Sequence, residues 1–192
     1  MTLQVDVGFG SSRIVSEGDA GQRAGRAVYR LRGGAVNGGE VEVRLIENTV
    51  YIHGNRTGLE WLGVLSDFYR ADAFQTAARD WLSSPYDPRS SWADGLTMNW
   101  LVAGFIPGGA KRLDEETQID CVQAVGIDVV GLPGSETAGE TGMLYVASKA
   151  PSLPIRYTSS GGFAGTLRFS GWDKPLPVVT PQKSVPLADF HH

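Results

Sequence analysis

The sequence offers little to a nucleophile or a soft metal. It contains one cysteine, Cys121, and three histidines, two of which close the chain. A single thiol forms no internal disulfide, and in a strand pattern it reads as a small buried hydrophobe. Any Ser-His-Asp or Cys-His arrangement has to use His53. That residue ends an apolar alternation before Gly54 and reads as a strand-end side chain, with a hydrolase built on it as the alternative. No stretch approaches the roughly 18 consecutive apolar residues that a spanning helix needs. Basic residues (17) and acidic residues (21) are scattered without a block, for a net charge of −4. With no basic stripe, nucleic acid is excluded as a partner. The first residues show no charged, apolar and cleavable segments of a secretory signal.

Other absences remove cofactors. Gly8-Phe9-Gly10 lacks the third glycine of a dinucleotide fingerprint, and no Gly-Lys-Ser/Thr closes a phosphate loop. Asp114-Glu115-Glu116 lacks calcium-loop spacing and reads as solvated surface, so neither metal nor organic cofactor is expected. Asn55-Arg56-Thr57 matches the glycosylation triplet, which matters only in a glycosylating secretory pathway.

What the chain does have is glycine (25) and proline (10) beside plentiful aliphatic and aromatic residues, a balance suited to short strands and tight turns. Leu3, Val5, Val7 and Phe9 alternate with polar or small residues, as one-sided strands do. Arg13 to Ser16 is a second strand, and residues 27 to 53 read as a three-strand meander: Ala27–Arg32, Glu40–Ile46 and Thr49–His53. Further strands are expected at Thr117–Gln123, Ile127–Val130, Met143–Ala147, Leu153–Thr158 and Thr166–Ser170. The pair Val178 and Val179, bracketed by prolines, is limited to an edge or a lone extended strand.

The period is helical in the middle. Residues 57–65, 66–82 and 95–106 read as helices, separated by a proline-containing loop from Ser83 to Asp94. Strands, helices, strands is the order of an α+β protein. The expectation is one domain over residues 1–192: a single large curved antiparallel sheet, a half-barrel of about ten strands, covering two or three helices inserted over residues 57–106. Whatever space the helices leave would be an apolar cavity.

Three segments carry a resemblance. Gly142-Met143-Leu144-Tyr145-Val146-Ala147, Leu153-Pro154-Ile155-Arg156-Tyr157 and Gly165-Thr166-Leu167-Arg168-Phe169-Ser170, followed by Trp172-Asp173-Lys174-Pro175 and Val178-Val179-Thr180-Pro181, resemble the C-terminal half of actinobacterial LppX/LprG-type lipoproteins. Thr49 to Asn55 resembles the strand that leads into the helical insert of that family. The resemblance implies a LolA-like half-barrel with an apolar cavity, no catalytic residues, and a cell-envelope, extracytoplasmic location. Membrane contact would come only through a lipid anchor that this chain does not carry.

The functional expectation is a non-enzymatic, monomeric, lipoprotein-like binding protein of the cell envelope whose partner is a lipid or other apolar small molecule held in the cavity, with lipid transport as the role that the resemblance implies. The expected wall comes from the apolar strand faces, Tyr29, Leu31, Val43, Leu45, Ile52, Tyr145, Ile155, Tyr157, Leu167 and Phe169, with Trp61, Trp100 and Phe105 from the helices. The alternative is a structural or protein-interaction module whose core is filled by its own helices.

Overall fold

The computed structural model describes residues 1–21, 24–64, 71–87, 96, 112–130, 141–160, 164–174 and 177–190. Its strands are β1 (Thr2–Phe9), β2 (Ser12–Ala20), β3 (Ala24–Arg32), β4 (Glu40–Ile46), β5 (Thr49–Gly54), β6 (Trp81–Pro85), β7 (Arg112–Ile119), β8 (Val122–Val130), β9 (Thr141–Ala147), β10 (Pro154–Ser160), β11 (Ala164–Ser170) and β12 (Ser184–Pro186). Two seven-residue helices, α1 (Arg56–Leu62) and α2 (Ala71–Ala77), lie between β5 and β6.

All twelve strands belong to one open sheet in the order β12-β6-β5-β4-β3-β2-β1-β11-β10-β9-β8-β7. The chain starts in the middle of the sheet and meanders outward through β6. It resumes at the far edge with β7 and meanders back until β11 pairs with β1. The tail then joins the first edge, where β12 runs parallel to β6 and ends in Pro186, whose missing N–H suits an edge.

This overturns the expected fold class. The structure is strand-dominated, with twelve strands and two short helices among the described residues, and not a half-barrel of about ten strands over two or three helices. Two local decisions account for much of the difference. The helical spacing expected to run through Leu82 stops at Ala77, and Trp81, Leu82 and Ser83 alternate instead, with Leu82 opposite Ile52 on β5. Trp81 and Leu82 fit a 3.6-residue period and a two-residue period equally well, and pairing with β5 decides between them. The second decision is at Asp120 and Cys121, which adopt φ 47° and 66° and turn the chain between β7 and β8. The strand expected at Thr117–Gln123 is therefore a hairpin tip, and Cys121 is exposed instead of buried. The helix expected at 95–106 lies, except for Leu96, outside the described residues, as does the 131–139 loop.

On β4 the alternation is strict: Val41, Val43 and Leu45 are buried, and Glu40, Glu42 and Arg44 point the other way. The face bearing Val41 is called the inner face. Over β3 to β6 it is covered by α1, α2 and the 3-10 turn Leu187–Phe190, giving a cluster that includes Ile52, Leu59, Val64, Ala73, Leu82 and Phe190. Asn55 sets the entry angle of α1. Its Oδ1 accepts from the backbone N–H of Gly58 (2.9 Å) and of Glu40 (3.1 Å), and its Nδ2 donates to the Gly38 carbonyl (2.8 Å). Gly58 brings the helix close, since a Cβ there would lie 2.4 Å from the Glu40 carbonyl oxygen. A second cluster forms around Met1, Leu3, Ala20, Leu144 and Phe169, with Tyr157 and Trp172 against it.

Candidate functional site

The strand register arranges inner-face residues in rows across the sheet. One row runs Tyr157, Leu167, Val5, Ser16, Tyr29, Val41, and the next runs Phe169, Leu3, Gly18, Ala27, Val43. In the middle of both rows, on β2 and β3, the side chains shrink to Ser16, Gly18 and Ala27. Ala20 and Gly25 extend the run of small residues into the row beyond. Large residues stand on either side, so the sheet surface dips.

An apolar cavity of about 260 Å³ occupies this dip. Its floor is Leu3, Val5 and Val7 of β1 with Ile14, Ser16, Gly18 and Ala20 of β2. Ala27 and Tyr29 of β3 form one side and Leu167 of β11 the other. Trp61 of α1 leans over it, its ring 5.4 Å from that of Tyr29 at 52°. Asp19 and Arg26 border one end, and both are engaged elsewhere: Asp19 accepts from Thr2 Oγ1 at 2.7 Å and Arg26 Nε donates to Glu42 at 2.6 Å. The floor from Ile14 to Ala20 spans roughly 20 Å at strand rise. Among the described residues its lining is apolar apart from Ser16, Asp19 and Arg26.

The expected wall residues are distributed over the whole sheet. Tyr29, Trp61 and Leu167 meet at the cavity. Leu31, Val43, Leu45 and Ile52 are no more than 2% exposed; the last three belong to the helix-covered cluster. Tyr157 and Phe169 pack in the second cluster, where the Tyr157 ring lies so close over Gly142 that a Cβ there would be 2.5 Å from it. Tyr145 is on the opposite face, because Leu144 is the residue in register with Tyr157. Ile155 sits where the β9–β10 register shifts. Trp100 and Phe105 lie outside the described residues. The small residues of β2 and β3 were not anticipated as a wall. Their signal was available in the inner-face alternation Ser16, Gly18, Ala20 and Gly25, Ala27, where size drops while the period of two continues.

The outer face is a different chemistry. Arg26 and Arg44, directly opposite one another, share the carboxylate of Glu42, with Arg44 Nε at 2.9 Å. Burial opposes ionisation of Glu42, but hydrogen bonds from Arg26 and then Arg44 outweigh it, and the pKa lies below the usual glutamate value. Arg44 also covers the Trp81 ring at 4.2 Å and donates from Nη1 to the Val179 carbonyl at 2.7 Å, which fastens the proline-rich tail across the outer face. A polar depression lined by Gln4, Asp6, Glu17, Arg30, Thr166 and Arg168 lies on the same face. Its charges are matched within the sheet, Asp6 by Arg13, and Arg30 by Glu17 and Glu40, as on a solvated ion-pair surface.

His53 packs against Trp81 with ring centroids 5.4 Å apart. Cys121 lies at the tip leading into β8, with seven strands between that strand and β5, so the two do not form a dyad. Among the described residues no three His, Cys, Asp or Glu side chains gather as a metal site, and no helix is long and apolar enough to cross a membrane.

No family model matches the chain, and no curated protein matches it. Among solved structures it is similar to one described as "Structure of PNGF-II in C2 space group", at 8% identity and a TM-score of 0.30. The likeness covers 90% of this chain and 28% of that one. A likeness this slight carries no argument about function.

Proposed function

We propose that the chain is a non-enzymatic binding protein that holds a lipid or other apolar small molecule in the trough formed by β1, β2 and β3 under Trp61. The observation that carries this reading is the combination of an apolar cavity of about 260 Å³ and the run of small inner-face residues that makes room for it. Larger apolar side chains at positions 16 and 27 would fill this space, whereas glycine at 18 is set by the close approach of the β3 backbone. Each acyl CH2 placed there contributes about 0.8 kcal/mol, so a chain of modest length binds firmly without any charged contact.

The resemblance of segments 142–181 to LppX/LprG-type lipoproteins is the reason to place such a protein in the cell envelope, outside the cytoplasm, and to consider it a carrier. Native mass spectrometry of protein purified from an actinobacterial host, followed by organic extraction, tests the reading. A stoichiometric lipid supports it and names the ligand class. A clean apo mass that stays unchanged after incubation with envelope lipids sinks it and favours a module with no ligand.

A further inference from the structure

The polar depression of the outer face lies across one row of the sheet, in which Arg168 of β11, Gln4 of β1 and Glu17 of β2 stand side by side. Its volume is about 260 Å³, and Asp6, Arg30 and Thr166 also line it. Two of its four charges are closely held. Asp6 accepts from Arg13 Nε at 2.7 Å and from Arg13 Nη2, and that pairing keeps its carboxyl below the usual aspartate range. Arg30 Nε stands 3.3 Å from Glu40. The other two charges are held loosely. Glu17 lies 3.6 Å from Arg30 Nη1, and Arg168 Nε lies 3.8 Å from Asp120, both beyond hydrogen-bond reach. Asp120 is committed to Arg156, whose Nη2 donates to it at 2.6 Å and whose buried Nε has no partner among the described residues. On the same face Glu42 hydrogen-bonds Arg26 and Arg44 at once, whereas Asp120 does so for Arg156 alone.

We propose that this row binds a small zwitterion of the amino-acid class, with its carboxylate on Arg168, its ammonium on Glu17 and Gln4 between them. The two loosely held charges are opposite in sign and rise from strands two spacings apart, about 10 Å. A carboxylate presents two oxygens to the guanidinium fork, and an ammonium brings three donors to a carboxylate. The exposed amide of Gln4 can donate to the first and accept from the second. Charge balance in the depression selects the class. Arg30 and Arg168 face Asp6 and Glu17 across it, so a simple anion meets two carboxylates and a simple cation meets two guanidiniums. A net-neutral ligand places each charge only where it is complemented. The depression opens on the face opposite the trough, so this inference is independent of what the trough holds.

The probes are 4-aminobutyrate, butyrate and butylammonium, which carry both charges or one, titrated at neutral pH and constant ionic strength. NMR of the intact isotope-labelled chain follows the Gln4 side-chain amide and the Arg168 Nε–H, for the wild type, Glu17→Gln and Arg168→Gln. Both substituted side chains are more than half exposed, so the variants should fold, and thermal melts check this. In the wild type, 4-aminobutyrate should shift the Gln4 amide and bind about three- to fivefold more tightly than either singly charged probe, the scale of one exposed ion pair. Glu17→Gln should erase its advantage over butyrate, and Arg168→Gln its advantage over butylammonium. Absence of any shift at Gln4, equal affinity for the three probes in the wild type, or an advantage that survives both substitutions overturns the proposal.

Discussion

The rings of Tyr29 and Trp61 meet 5.4 Å apart at the line where two kinds of sheet surface join. On one side, β3 to β6 are packed beneath the helices with Val41, Val43 and Ile52 fully buried. On the other, the small residues of β2 leave a trough. The pair belongs to both, since both rings touch the packed cluster and both line the cavity. Structure and ligand affinity should therefore be separable by mutation on either side of this line.

Ile52→Ala tests the packed side. Ile52 is 0% exposed and lies amid the helix-covered cluster, so truncation should cost about 2–5 kcal/mol in denaturant unfolding. Folded Ile52→Ala should still bind apolar probes with near wild-type affinity. Trp61→Ala should do the converse. Being half-buried, it should lose about 1–2 kcal/mol of stability, while affinity for an apolar probe falls by roughly tenfold as about 1.4 kcal/mol of contact disappears.

Gly18 is required by a close approach. A Cβ built there would lie 2.2 Å from the Arg26 carbonyl oxygen and 3.0 Å from the Ala27 Cα, both backbone atoms of β3. Gly18→Val should destabilise the protein by about 1–3 kcal/mol through strain and abolish probe binding by filling the trough. Chemical denaturation and dye displacement on the same sample read the two effects.

The Arg26–Glu42–Arg44 bridge predicts a pH dependence. Because the folded-state pKa of Glu42 lies below its unfolded value, the folded state holds fewer protons at this site. Its stabilising contribution is present above the unfolded glutamate pKa, about 4.3, and is lost as the pH falls towards the depressed folded value. Urea midpoints of the wild type and Glu42→Gln should differ near neutral pH and converge as the medium is acidified below about pH 4. A gap that stays constant across that range contradicts the assignment.

Asn55 matches a glycosylation triplet, but its amide is committed to the Gly38 carbonyl and its oxygen caps α1. Asn55→Ala should cost about 1–2 kcal/mol for the cap. Asn55→Asp, which keeps both acceptor bonds, should cost less. Expression in a glycosylating host should add no glycan mass at this position.

Sequence periodicity located most strands, because one wet face and one greasy face leave a period of two wherever a strand has a single buried side. Glu40–Ile46 is the clearest case, and the meander of β3, β4 and β5 follows from it. The periodicity could not separate helix from strand at Trp81 and Leu82, where the outcome depends on a ladder with Ile52, about 30 residues away in the chain. Nor did it reveal the turn at Asp120 and Cys121, since cysteine rarely marks a left-handed position. The trough was missed for another reason. A wall was sought among large side chains, yet a cavity opens where side chains are small, and that requires knowing that Ser16 and Gly18 lie beside Ala27 across the β2–β3 ladder.

The central claim is that an apolar ligand lies along the inner face of β1 and β2 beneath Trp61. Photolabelling with a diazirine-bearing alkyl ester, followed by peptide mapping, tests it most directly. The account predicts labels concentrated at Val5, Ile14, Tyr29 and Trp61, and competed away by unlabelled ester. Labels confined to exposed positions such as Val179, or unaffected by competitor, would contradict it.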